Sequence, residues 1–265
     1  MTPLTLPADD GAFTPPTLED MHLPAIFPWG EAEGFSKQML LVLLSVVFIA
    51  WFFLAAARKG QLVPGKLQFA GEYLYGFVRN SIGKDIIGGK DFMKFVPLLF
   101  ALFFFILLNN IYGAIPFFQL PTMSHVGSPY FLAALVYVIW IGVGLRKFGP
   151  KFIKLTIVPS GVPWFILPIV VPIEIISNFI VRPMTHSLRL FATMLAGHLV
   201  VALAGSGIAF LISQESVLLK GTSLLVLVGA IAMYMLEALI MVLQAYVFTL
   251  LTAIYIQGAL HADAH

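Results

Sequence analysis

Among the polar side chains in the largely apolar second half of the chain, four deep in its long apolar runs carry groups that ionise or hydrogen-bond strongly: Arg189, His198, Glu237 and Gln244. Arg189 lies in Ser187-Leu188-Arg189-Leu190-Phe191-Ala192-Thr193-Met194-Leu195-Ala196-Gly197-His198, with apolar or small residues on both sides for several turns. A cation in hydrocarbon costs from about 2.5 to over 10 kcal/mol, so an intramembrane Arg marks a functional site by default. Its guanidinium does not give up its proton, which makes Arg189 a fixed charge. The structural alternatives are a pairing with Glu174 or Glu237, or a side chain that reaches the membrane surface. His198 and Glu237 offer different chemistry. Imidazole titrates near neutrality and a carboxylate is a second common proton carrier, so together they can form a relay. A lone membrane His is also compatible with plain helix packing.

The spacing relates these groups. If the last two helices form an antiparallel hairpin, the pairings Arg189 with Gln244 and His198 with Glu237 differ by only two residues, about 3 Å of helix. Their midpoint, near residues 216 and 217, falls in the polar break 213–220. One hairpin therefore satisfies both pairs. Glu237 and Gln244 are two turns apart on nearly one face, whereas Arg189 and His198 are separated by about 180° around their helix. That geometry suits a fixed charge at an interface and a proton relay elsewhere.

The elements that must position these groups follow from composition. The chain has 265 residues, 60% hydrophobic and 11% charged, with 24 Phe and 10 Met, and its mean hydropathy is +0.96. A soluble domain carries roughly 25% charged residues, so the bilayer must supply part of the interior. The absence of Cys excludes disulfides, thiolate nucleophiles and Cys-based metal sites.

Residues 1–36 read as an extended, extracytoplasmic tail without the pattern of a signal peptide. Asp9, Asp10, Glu19, Asp20, Glu31 and Glu33 are its charges, and no Lys or Arg precedes Lys37. Residues 37–265 read as a single all-α, polytopic membrane domain. About five crossings are expected, over 39–57, 95–115, 130–145, 162–212 and 222–256. Arg58, Lys59, Lys66, Arg79, Lys84, Lys90 and Lys94, and later Arg146, Lys147, Lys151 and Lys154, mark the cytoplasmic side. The uncharged loop 116–129 marks the outside, which leaves the N-terminus outside and the C-terminus cytoplasmic. Residues 66–87 have the apolar spacing of an interfacial helix, lying either on the membrane or on a partner subunit. The stretch 162–212 lacks a reversal loop and predicts one helical path kinked near Pro183. The hairpin, about 165–256, has helices longer than a bilayer is thick and must be inclined or project beyond it.

Arg182-Pro183, Ser187-Leu188-Arg189-Leu190-Phe191, Ala196-Gly197-His198, Gln244-Ala245-Tyr246-Val247-Phe248 and Leu250-Leu251-Thr252 carry a resemblance. Val63-Pro64-Gly65-Lys66-Leu67-Gln68 and residues 110–116 support it. Over nearly its whole length the sequence closely resembles the subunit a family of F-type ATP synthase membrane sectors, in its bacterial, actinobacterial form. The resemblance implies a stator in the bacterial plasma membrane beside a rotating c-subunit ring. Peripheral-stalk b subunits and the other synthase subunits are further implied partners, with no nucleic acid, cofactor or metal. Two offset half-channels would lead protons to and from a ring carboxylate, and Arg189 would separate them. Several translocations would be needed for each ATP.

Some members of the family carry Glu where this chain has His198 and His where it has Glu237, so the pair resembles an exchanged arrangement. Thr193 stands where many members have Asn. Gln244 would hold or orient Arg189, while Glu174, Thr185, His186, Thr193 and Tyr255 are further channel candidates. The alternatives are a stand-alone proton-coupled secondary transporter or ion channel, and an intramembrane hydrolase using Ser206 with His198. No long internal repeat supports the former class. Gly205-Ser206-Gly207 reads more simply as close helix packing, and neither a Gly-x-Ser-x-Gly nor a His-Glu-x-x-His motif is present.

Overall fold

The computed structural model describes residues 27–29, 32–35, 37–58, 65–89, 91–115, 122, 127–158, 165–214 and 216–262. Of the tail expected over residues 1–36, residues 1–26, 30, 31 and 36 lie outside the described residues, as does most of the uncharged loop after residue 115. A short antiparallel ribbon, β1 (Phe27–Trp29) with β2 (Ala32–Phe35), pairs Phe27 with Phe35 and Trp29 with Ala32. From residue 37 onward the described chain is helical, as the all-α expectation requires.

The helices are α1 (Lys37–Ala57), α2 (Lys66–Phe77), α3 (Phe92–Ala114), α4 (Gly127–Phe148), α5 (Lys151–Ile157), α6 (Leu167–Ile176), α7 (Arg182–Ser213) and α8 (Val217–Leu260). Among the described residues, five stretches have the length and hydropathy to cross a membrane: Met39–Ala57, Phe92–Gly113, Gly127–Phe148, Leu167–Ser213 and Lys220–Leu260. These agree with the five crossings expected from the sequence, with ends shifted by a few residues. At 1.5 Å per residue α8 is about 66 Å long, against roughly 30 Å of hydrocarbon. It must incline or project from the bilayer.

Proline chemistry shapes the path into the hairpin. Pro183 lacks a donor and its ring obstructs the carbonyl four residues earlier. The chain answers by widening to π-helix over Ser177–Val181 between α6 and α7. There the Arg182 N–H donates to the Ser177 carbonyl, five residues back, so the helical path continues through the irregularity.

The interfacial segment has two characters. In α2, Phe69 and Tyr73 are exposed, while Gly71 lies against α1, where an added Cβ would come within 2.7 Å of the Ala56 Cβ. Beyond α2 the chain widens into a second π-helix, Val78–Ile87. Its Val78, Ile82 and Ile87 enter the core with residues of α3 and α8. This half is packed on its own chain.

Within a bilayer, small residues and polar bonds join helices where the hydrophobic effect cannot. Asn109 Nδ2 donates to Ser45 Oγ across α3 and α1 (3.0 Å), and its Oδ1 accepts from Thr122 Oγ1 (2.6 Å). Asn110 Nδ2 donates to the Met241 carbonyl, joining α3 to α8 (3.2 Å). Lys147 Nζ donates to the Leu260 carbonyl at the end of α8. Much apolar surface nevertheless remains outward, including Leu225 at 77% and Met235 at 70% exposure, as expected for a surface that meets lipid or partner subunits.

Sequence periodicity did not anticipate α5. It forms because Gly149, with φ of 60°, reverses the chain after α4 and Phe152 folds back onto Gly144. A Cβ at Gly144 would lie 2.3 to 2.4 Å from the Phe152 ring, whereas one at Gly142 meets nothing within 4 Å. Gly144→Val should therefore destabilise this corner by about 1–3 kcal/mol, the usual cost of overpacking. Thermal unfolding in detergent should show a lowered midpoint for Gly144→Val and little change for Gly142→Ala; equal behaviour would contradict the packing.

Candidate functional site

Antiparallel packing of α7 on α8 builds the site. Leu190 and Met194 of α7 enter the same core as Met241, Ala245 and Phe248 of α8. At one end of this seam the His186 and Phe248 rings have centroids 3.8 Å apart. Farther along, His198 Nδ1 lies 3.5 Å from Glu237 Oε1. The register reasoned from residue spacing therefore brings His198 and Glu237 together.

Gly197 permits this approach. A Cβ there would meet Glu237 at Oε1 (3.0 Å), Cγ (3.1 Å) and Cδ (3.2 Å). The carboxylate thus lies over bare backbone beside His198, with side-chain exposures of 8% and 17%. A separation of 3.5 Å is the outer edge of hydrogen bonding. Proton exchange across it needs only a small side-chain movement or one bridging water. A cleft of about 260 Å³, lined in part by Thr193, Gly197, Val200, Met233 and Glu237, adjoins the carboxylate.

Arg189 has another environment. It follows His186 and Ser187, both buried, and precedes buried Leu190, but is itself exposed. Helical rotation of about 100° per residue turns it away from the seam that Leu190 enters. Among the described residues, its guanidinium makes no hydrogen bond or ion pair within this chain. Glu174 accepts from Asn178 Nδ2 (2.8 Å), and Glu237 lies with His198, so neither neutralises Arg189. The described residues thus leave its side chain without a counter-charge.

Gln244 is buried, and no hydrogen bond joins it to Arg189; its Nε2 lacks a partner among the described residues. The core pairing brings Leu190 and Ala245 into the seam, one residue beyond each, and explains why the expected direct pair does not form. Thr193 Oγ1 donates to the Arg189 carbonyl (2.6 Å), so its hydroxyl serves its own helix while its side chain borders the cleft. Thr185 likewise donates to the Val181 carbonyl (2.8 Å). His186 is fully buried and its ring centroid is 5.6 Å from that of Tyr255, which is 5.9 Å from Tyr137.

Ser206 Oγ donates to the Leu203 carbonyl (3.0 Å) within α7, so that bond gives it no nucleophile-and-base geometry with His198. Among the described residues, no group of three or more His, Cys, Asp or Glu is arranged to hold a metal ion. Sequence reasoning missed Gly197 as the clearance for Glu237. The proposed register contained that signal, because it set Ala196-Gly197-His198 opposite Glu237.

The ATP synthase A chain family model matches residues 39–257. The chain is 77% identical to ATP synthase subunit a of Pseudarthrobacter chlorophenolicus, with all of both chains covered. It is 47% identical to ATP synthase subunit a of a Nocardioides species, over 97% of this chain and 96% of the relative. The corresponding protein of Rhodopseudomonas palustris is 44% identical, over 88% of this chain and 90% of the relative.

The clearance at Gly197 has a direct consequence. Gly197→Val should push the Glu237 carboxylate from its place against α7 and raise its labelling by a water-soluble carbodiimide several-fold. Unchanged labelling in a folded variant would show that Gly197 does not hold the carboxylate in place.

Proposed function

The chain belongs to the ATP synthase A chain family, and from this premise we propose that it is the stator that guides protons past a rotating c-subunit ring through Arg189, His198 and Glu237. The observation that carries the reading is the division of α7. Arg189 is exposed, and unpaired among the described residues, on one side, while His198 meets Glu237 elsewhere around the helix. A fixed cation and a proton-carrying pair are thereby separated on one rigid element.

The mechanism is electrostatic. A protonated ring carboxylate is neutral and can travel through lipid. At Arg189 its anionic form is favoured by the guanidinium, so the proton departs through an inner half-channel. The ring site is reloaded from the outer side through Glu237 and His198. Each charge crossing the membrane potential contributes about 2.3 kcal/mol per 100 mV, and the pH gradient adds to it. Because Arg189 keeps its charge, it also opposes direct proton passage between the half-channels.

In this arrangement residues 1–36 form the extracytoplasmic tail and 37–265 the membrane domain in a bacterial plasma membrane, with the C-terminus cytoplasmic. The partners are the c-ring, the peripheral-stalk b subunits and the remaining synthase subunits. Gln244 acts near Arg189 without a direct bond in the present conformation. Glu174, Thr185, His186 and Tyr255 belong to the inner side, and Thr193 borders the cleft. The stand-alone transporter or channel reading is not favoured by the relatives, which are named as a synthase subunit.

ATP-driven acidification of inverted vesicles tests the gate. With the complex assembled, Arg189→Ala should reduce pumping at least tenfold and raise the passive proton leak; undiminished pumping would overturn the assignment. Arg189→Lys should also fail to pump, because an ammonium lacks the planar, permanently charged guanidinium. In the same assay, the exchange His198→Glu with Glu237→His should pump better than at least one of its single substitutions. Strictly additive losses would argue that the two residues act separately.

A further inference from the structure

A buried imidazole on the other side of Arg189 has no place in the relay described above. His186 is 2% exposed, and neither Nδ1 nor Nε2 has a hydrogen-bond partner among the described residues. The same holds for Nε2 of Gln244, itself 5% exposed. Gln244 and Phe248 are one turn apart on α8 and therefore share a face, and His186 packs on Phe248. Two unpartnered polar groups thus lie along one seam between α7 and α8, about 6 Å apart in helix rise.

A buried polar group without a hydrogen-bond partner is destabilising. A Leu or Phe at position 186 would fill the space against Phe248 and Tyr255 without that penalty. Groups of this kind are ordinarily satisfied by bound water, which needs two or more polar partners, and the seam supplies His186 and Gln244. His186 also precedes Arg189 by three residues, placing the two on neighbouring faces of adjacent turns.

We propose that His186 carries protons from the Arg189 region toward the cytoplasmic face through a hydrated seam that Gln244 and Tyr255 share; this rests on the stator reading above. The transfer balances without any other reactant. A proton joins one ring nitrogen, the proton on the other leaves, and a tautomer exchange restores the ring. The cations within electrostatic reach are Arg189 and, through the Tyr255 cluster, Arg182, both on α7. The titratable neighbours on other helices are Tyr255 of α8 and, beyond it, Tyr137 of α4. The adjoining π-helical segment, Ser177–Val181, contributes no titratable side chain.

The test uses the assembled complex in membrane vesicles, with pH varied separately on each face and proton flux measured. His186→Gln keeps a polar group but cannot titrate, and His186→Phe keeps an aromatic ring. Both should lower flux at least fivefold and alter its dependence on cytoplasmic-side pH, with the dependence on opposite-side pH unchanged. In His186→Ala, added imidazole should restore part of the flux. Parent-like flux and pH profiles in His186→Gln would overturn the proposal, as would a change confined to the opposite-side profile. Arg189→Ala run in parallel separates the two readings. If it pumps normally, the stator reading itself fails; if it fails to pump while His186→Gln is normal, the His186 assignment alone falls.

Discussion

Close antiparallel contact between α7 and α8 is the constraint on which the rest of the site depends. It is possible at the Glu237 level because Gly197 has no side chain: the carboxylate occupies the space a Cβ would need. The same packing puts the His198 imidazole beside Glu237 and sets the His186 ring, tilted, against Phe248 toward the opposite end. A shift of one residue would rotate each helix face by about 100° and remove all of these contacts together.

That register also separates the Arg189 guanidinium from the His198–Glu237 pair. Leu190 and Met194 commit one face of α7 to the core, so the neighbouring Arg189 must point elsewhere. An exposed guanidinium with no partner among the described residues is costly in hydrocarbon, and under the proposed function a ring carboxylate would supply the counter-charge. His198 and Glu237, by contrast, complete their contact within the chain. The fixed charge is therefore directed outward and the titratable pair inward by the same helix.

The remaining helices hold this hairpin by specific polar bonds as well as apolar packing. Asn110 reaches the Met241 carbonyl one turn from Glu237 on α8, and Asn109 joins α3 to α1 and Thr122. These bonds carry particular weight where lipid already solvates apolar side chains as well as a neighbouring helix does. The π-helical passage before Pro183 serves a related purpose, because it lets α6 lead into α7 without abandoning the helical path.

The five crossing segments, the single helical path through Pro183 and the opposition of His198 to Glu237 were legible in the chain itself, since hydropathy, proline sterics and helical periodicity are local properties. The choice of Arg189 as a candidate followed equally directly from the cost of a charge in hydrocarbon. The absence of an Arg189–Gln244 bond was not legible: matching residue numbers locates two positions along an axis, but packing of Leu190 and Ala245 decides which way their neighbours turn. Gly197 as a clearance, the unpartnered nitrogens of His186 and the return of Phe152 onto Gly144 likewise emerged only in three dimensions. Periodicity along a chain specifies which groups can share a face, whereas steric exclusion between different helices determines which of them meet.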